Sequence, residues 1–284
     1  MFASSTVCPR RDRSAYSGRV TATPTKVAAF FDLDKTIIAK SSILAFSKPF
    51  FTEGLITRAS VLQSSYAQFL FMLSGADHDQ MERMRAYLTD MTAGWNVEQV
   101  KAIVAETLHD IVDPLVYAEA ADLVADHKAS GHDVVIVSAS GEEVVTPIAA
   151  ALGADRSIAT RLTVEDGRYT GEVEFYAYGE GKVEGIRALA DEFGYDLERC
   201  YAYSDSITDL PMLEAVGHPT AVNPDRALRR TANEKGWPVL VFSNPVSLRS
   251  RIAAPSTAMA AGAAVGLTAL FAGAYTYSTR RKRK

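Results

Sequence analysis

The sequence predicts a doubly wound α/β fold, a mostly parallel sheet with helices on both faces and an inserted helical cap. Three observations predict it. From Pro114 onward, short β-branched runs alternate with helical stretches. Between Ser41 and Asp110 no strand is legible. Short acidic or hydroxyl-bearing segments stand just past several of the strands. Strand–helix alternation of this kind implies parallel strands joined by helical crossovers, and ligands then bind beyond the strands' carboxyl ends.

The elements follow in order. Residues 27–31 form an apolar run that stops at Asp32, the pattern of a buried strand opening a core. Within 41–110, Val61, Leu62, Tyr66, Phe69, Leu70 and Leu73 recur at helical spacing, with turn-like breaks near Gly54, Gly75 and Gly94. A helix is expected over 117–129, closed by Gly131. A strand at 134–137 and a helix over 142–152 come next. Residues 162–170 alternate about Asp166-Gly167, a strong hairpin signal. A helix over 182–193, a strand at 200–203 and a helix at 211–216 follow; short β-rich runs at 220–222 and 239–242 then flank a helix over 225–235. The expected organisation is a disordered tail (1–26), a catalytic core (27–40 with 111–245), a helical cap (41–110), an apolar helix (253–278) and a basic tail (279–284).

A chain of 284 residues is long enough for one large domain with an insert. Its net charge of -4 offers no broadly basic surface, so no nucleic-acid partner is expected. Two cysteines, Cys8 and Cys200, are too few for a disulfide framework or a zinc site, and a reducing cytoplasm fits best. Residues 1–26 are rich in Ser, Thr, Arg and Pro and lack an apolar core, so they read as a disordered tail rather than a secretory signal.

Four segments carry chemistry: Asp32 to Thr36, Ser138, Lys182, and Asp205 to Asp209. Each follows a predicted strand or opens a helix, so their polar groups converge on one crevice. The set suits phosphoryl transfer, where catalysis is mostly positioning and neutralisation of oxygen charge. A carboxylate attacks an anionic ester only behind a shielding cation. Asp32, Asp205 and Asp209 offer the few oxygens that Mg²⁺ takes while it keeps several waters. Lys182 adds positive charge, and the Ser138 hydroxyl donates to a phosphoryl oxygen. Asp34, two residues beyond Asp32 on the same side of an extended segment, is placed to protonate a leaving group. Ser140 reads as a helix N-cap, with Glu143 completing a capping box. The bland alternatives are a strand-end turn at Asp32 and Asp34, an N-cap pair at Asp205 and Asp209, and a solvated lysine at 182. Their occurrence together and in order favours the chemical reading.

These motifs resemble the haloacid dehalogenase superfamily, in its phosphoserine-phosphatase-like branch with a helical cap: an apolar strand then DxDxT, a strand then Ser, a Lys opening a helix, and a strand then DxxxD. The resemblance spans about residues 27–242. It implies Asp32 as nucleophile forming an aspartyl-phosphate and Asp34 as general acid and base. It implies Ser138 and Lys182 as phosphate ligands, Thr36 bracing the first loop, and Asp205 as a Mg²⁺ ligand beside Asp32 and the Asp34 backbone carbonyl. Cation-pumping relatives carry Thr where Asp34 stands, so the resemblance points to a phosphomonoester hydrolase. It departs from phosphoserine phosphatases at Ser138-Ala139-Ser140-Gly141, where two glycines usually follow the Ser, and at Ala39 to Ser42, where an acid is missing. A small phosphorylated metabolite or a lipid phosphate is therefore the expected substrate. The other class in view is a membrane-associated regulatory or binding protein that keeps the fold without turnover.

The segment from Pro255 to Tyr277 contains no charged residue and is long enough to span a bilayer as a helix. Five basic residues follow it, and Gly262 and Gly266 match a helix-packing pattern that permits a homodimer. The expectation is a cytoplasmic catalytic domain with a single-pass C-terminal anchor, or else a helix lying on anionic lipid.

Overall fold

The computed structural model describes residues 26–56, 86 and 89–245. β1 (Ala28–Asp32) is central in a seven-stranded sheet. The described chain continues through α1 (Ser42–Thr52), α2 (Val97–Val112), α3 (Ala118–Ala129), β2 (Asp133–Gly141), α4 (Glu142–Ala151), β3 (Arg156–Glu165) and β4 (Arg168–Phe175). It ends with α5 (Glu180–Phe193), β5 (Tyr201–Ser204), the short α6 (Leu210–Glu214), β6 (His218–Val222), α7 (Arg226–Lys235) and β7 (Val239–Leu240). Strand order is β4-β3-β2-β1-β5-β6-β7, and only the β3–β4 pair is antiparallel.

Alternation along the strands builds two cores. Ala29, Phe31, Val134 and Ile136 face α3 and α4, meeting Val124, Val145 and Ile148. Ala28, Phe30, Val135 and Val137 face the opposite side, meeting Ile186, Met212 and Leu228 of α5, α6 and α7. All of β1 is buried, including Asp32. Fully burying Phe30 and Phe31 is worth about 2 kcal/mol each, which anchors the strand that ends at Asp32.

Of the expected cap, α1 and α2 are described; α2 starts under Asn96, whose side chain accepts from the Gln99 amide at 2.9 Å, and runs two residues past 110. It buries Val97, Val100, Val104, Leu108 and Val112 along one face. The β3–β4 hairpin turns through Asp166 and Gly167, both at positive φ (48° and 74°), as an Asp-Gly pair allows. Its far end reaches the start of α2, where Gly94 donates to the Tyr169 carbonyl at 2.8 Å and Arg168 to the Gly94 carbonyl at 2.7 Å. The apolar segment 253–278, the basic tail and residues 1–25 lie outside the described residues, as do most of residues 57–88. No helix among the described residues is long and apolar enough to cross a membrane.

Candidate active site

β1 delivers Asp32 as its last residue, at the carboxyl end of the central strand. The chain then turns back on itself. Leu33 accepts from the amides of Ile37 and Ile38 at 3.0 and 3.1 Å, and Lys35 takes a left-handed φ of 62°. That reversal brings Thr36 Oγ1 to Asp32 Oδ2 at 3.2 Å. A non-glycine residue in this region costs of order 1 kcal/mol and persists where surrounding contacts enforce it.

Parallel pairing sets the other groups beside Asp32. β2 lies next to β1 in register, so Ser138 follows Val137, the partner of Asp32. β5 lies on the other side and ends at Ser204, which puts Asp205 at the same rim. Asp209 follows in a short 3-10 turn, and Lys182 sits in the first turn of α5. Asp32, Asp34, Ser138, Lys182, Asp205 and Asp209 all line one cavity of about 470 Å³.

Lys182 is the hub. Its ammonium is 3% exposed and donates to Asp32 Oδ1 and Asp209 Oδ2, both at 2.7 Å. Ser204 Oγ donates to the same Asp209 oxygen at 2.6 Å. Asp209, read from sequence as a metal ligand, thus spends Oδ2 on holding Lys182. Lys182 itself is no solvated helix-start lysine; the pair of carboxylates raises its pKa against the effect of burial.

The carboxylates outnumber the buried cation. Burial pushes Asp32 well above the usual carboxylate range; Lys182 opposes this, while Asp209, Asp205 and Asp34 reinforce it. Burial likewise raises Asp205 to about 7, with Lys35 pulling it down and Asp209 pushing it up. Such an uncompensated cluster is what a hard dication neutralises. Among the described residues no group of three His, Cys, Asp or Glu side chains forms a ready-made metal cage. Mg²⁺ does not need one, since it takes one or two carboxylates and keeps waters. Asp32 and Asp205, the two carboxylates facing the cavity from adjacent strands, fit that demand.

Asp34 is partly buried and held differently. Its Oδ1 accepts from the Ser42 amide at 2.7 Å, and its Oδ2 from Ser42 Oγ at 3.2 Å and Ser140 Oγ at 3.4 Å. Burial raises its pKa and these hydrogen bonds lower it, leaving it above the usual value. Ser140 is therefore not the expected N-cap. Gly141 takes that position at φ -64°, ψ 146°, and no side chain caps α4. A register shift between Ser138 and Gly141 prolongs β2 by those residues and turns Ser140 into the site, with its amide donating to Ser138 Oγ at 3.2 Å. Its two-residue spacing from Ser138 was the available signal. Ser42 and Ser204 carried no comparable mark in the sequence.

The family model for haloacid dehalogenase-like hydrolases matches residues 29–214. A Mycobacterium tuberculosis protein named a probable phosphatase is 70% identical over 92% of each chain. A second protein of that organism, named a phosphoserine phosphatase, is 34% identical over 86% of this chain and 80% of its own. A crystal structure of a Bordetella pertussis protein of unknown function superposes with a TM-score of 0.67 at 30% identity, covering 76% of this chain and 98% of that one.

Proposed function

Because the chain belongs to the haloacid dehalogenase-like hydrolases and is a phosphatase of that family, we propose that it hydrolyses phosphomonoesters through an aspartyl-phosphate on Asp32, with Mg²⁺ held by Asp32, Asp205 and the Asp34 backbone carbonyl. The observation that carries this reading is the Lys182 bridge between Asp32 and Asp209 inside a cavity also lined by Asp34, Asp205 and Asp225. A carboxylate fixed from one side by a buried ammonium is held in place to attack, and the ammonium opposes the rise that burial imposes on the carboxylate's pKa.

In the first half-reaction an Asp32 oxygen bonds to phosphorus while the bond to the ester oxygen breaks. The Asp34 carboxyl gives its proton to the departing alkoxide. Ser138 Oγ donates to a phosphoryl oxygen, and Lys182 neutralises charge as it accumulates. In the second half Asp34 takes a proton from water, the water oxygen bonds to phosphorus, and the Asp32–phosphorus bond breaks to release phosphate. Mg²⁺, when held by these residues, would supply neutralisation of the negative charge that gathers in the site.

The substrate we propose is a small phosphorylated metabolite or a lipid phosphate. Support comes from the lack of an acid at residues 39–42; the first turn of α1 gives its Ser42 amide to Asp34. For the segment 253–278, we propose a membrane anchor on the strength of its length, its lack of charge and the basic tail after it.

The test is phosphate release from an aryl phosphate with and without Mg²⁺. Asp32→Asn is expected to lower turnover at least about 1,000-fold while the thermal melt stays cooperative, and chelation is expected to abolish wild-type turnover reversibly. Full activity in that variant removes the covalent route.

A further inference from the structure

Two serines, one from α1 and one from β2, converge on Asp34. Ser42 is the first residue of α1, fully buried, and Ser140 is the last but one residue of β2, at 3% exposure. Their hydroxyl oxygens lie 2.8 Å apart, and both reach Asp34 Oδ2. The Ser42 amide takes the other Asp34 oxygen at 2.7 Å. That amide is one of the unpaired donors at a helix start. Asp34 thus serves as the side-chain acceptor for α1, while Ser41, the residue at the N-cap, makes no side-chain cap.

Neither serine touches Lys182 or Asp32 by hydrogen bond, so neither belongs to the nucleophile's network. Their hydrogen bonds run to Asp34 and to each other, with the Ser140 amide reaching Ser138. A buried hydroxyl pair of this kind is costly unless both members are satisfied. Here the satisfaction is supplied by Asp34, which in return is fixed in orientation.

We propose that Ser42 and Ser140 are positioning residues for Asp34, aiming its carboxyl at the leaving-group oxygen and tying that aim to the seating of α1 against β2. The proposal rests on Asp34 acting as the leaving-group acid. It assigns work to Ser140, two residues beyond Ser138, and to the first turn of α1.

A positioning role separates substrates by leaving group. An aryl phosphate expels a nitrophenolate that needs no proton, whereas an alkyl phosphate expels an alkoxide that does. The experiment compares kcat/KM for p-nitrophenyl phosphate and β-glycerophosphate in wild type, Ser140→Ala, Ser42→Ala and Asp34→Asn. The expected result is that each serine variant lowers the alkyl-to-aryl ratio about tenfold, in the direction of the larger drop in Asp34→Asn. Ser140→Gly, which adds no bulk, serves as the second variant if Ser140→Ala melts early, and is expected to lower the ratio likewise. An unchanged ratio in folded variants overturns the proposal. Failure of the underlying reading looks different, because Asp34→Asn would then leave the ratio where wild type has it.

Discussion

Lys182 lies in a place where its charge would be untenable alone. Removing an ammonium from water costs several kcal/mol, and two carboxylates at 2.7 Å offset that cost. The same accounting applies to His127, which is buried and does not line this cavity. Its Nδ1 lies 2.9 Å from His132 Nδ1 and its Nε2 2.9 Å from the Tyr203 hydroxyl. Burial, with His132 adding to it, lowers its pKa to about 4. The folded protein therefore holds His127 neutral, while the unfolded chain binds a proton below about 6.5. Its contribution is full above pH 6.5 and is lost as the pH falls toward 4, on the order of 2 kcal/mol by pH 5 and about 3 kcal/mol in all. Asp205, raised to about 7, works in the opposite direction, so the informative quantity is a difference. Urea denaturation at pH 7 and pH 5 is expected to show His127→Gln losing less stability on acidification than wild type. An equal loss in both proteins refutes the assignment.

At the scale of elements, the turn before α5 sets where Lys182 stands. A Cβ on Gly181 would overlap the Tyr176 carbonyl oxygen, so only glycine lets the helix start this close to the preceding strand. Gly181→Ala is expected to lower kcat/KM by about tenfold or more through displacement of Lys182, since misplacement on the ångström scale is costly. The check is steady-state kinetics with a thermal melt as control; wild-type kinetics would show that the first turn yields without moving the lysine. Most elements were legible because their periodicity is local, as the Asp166-Gly167 hairpin and the helix closing at Gly131 illustrate. The end of β2 was not. The capping-box pattern at Ser140 and Glu143 is local too, and α4 does begin at Glu142 as expected, but the register shift against β3 puts Gly141 and not Ser140 at its N-cap.

At the scale of the whole molecule, the sheet order brings together acids separated by more than 170 residues. Both neighbours of β1 are parallel to it, so every site-bearing loop emerges at one end. The proposed anchor belongs to this scale as well. Deleting residues 253–284 is expected to move the expressed protein from the membrane pellet to the supernatant while phosphate release per molecule stays within about twofold, as a grafted anchor and a separate core would behave. An unchanged distribution between pellet and supernatant excludes the anchor.

The order of the motifs pointed to the fold class and marked Asp32, Asp34, Ser138, Lys182 and Asp205 as residues of one site, because each lies where an apolar run ends or a helix opens. Tertiary structure decided what each group touches. It committed Asp209 to Lys182, gave Asp34 to Ser42 and Ser140, and left α4 without a side-chain cap. Hydrogen bonds between residues a hundred positions apart depend on strand register and helix seating, and neither quantity is written in the local spacing of side chains.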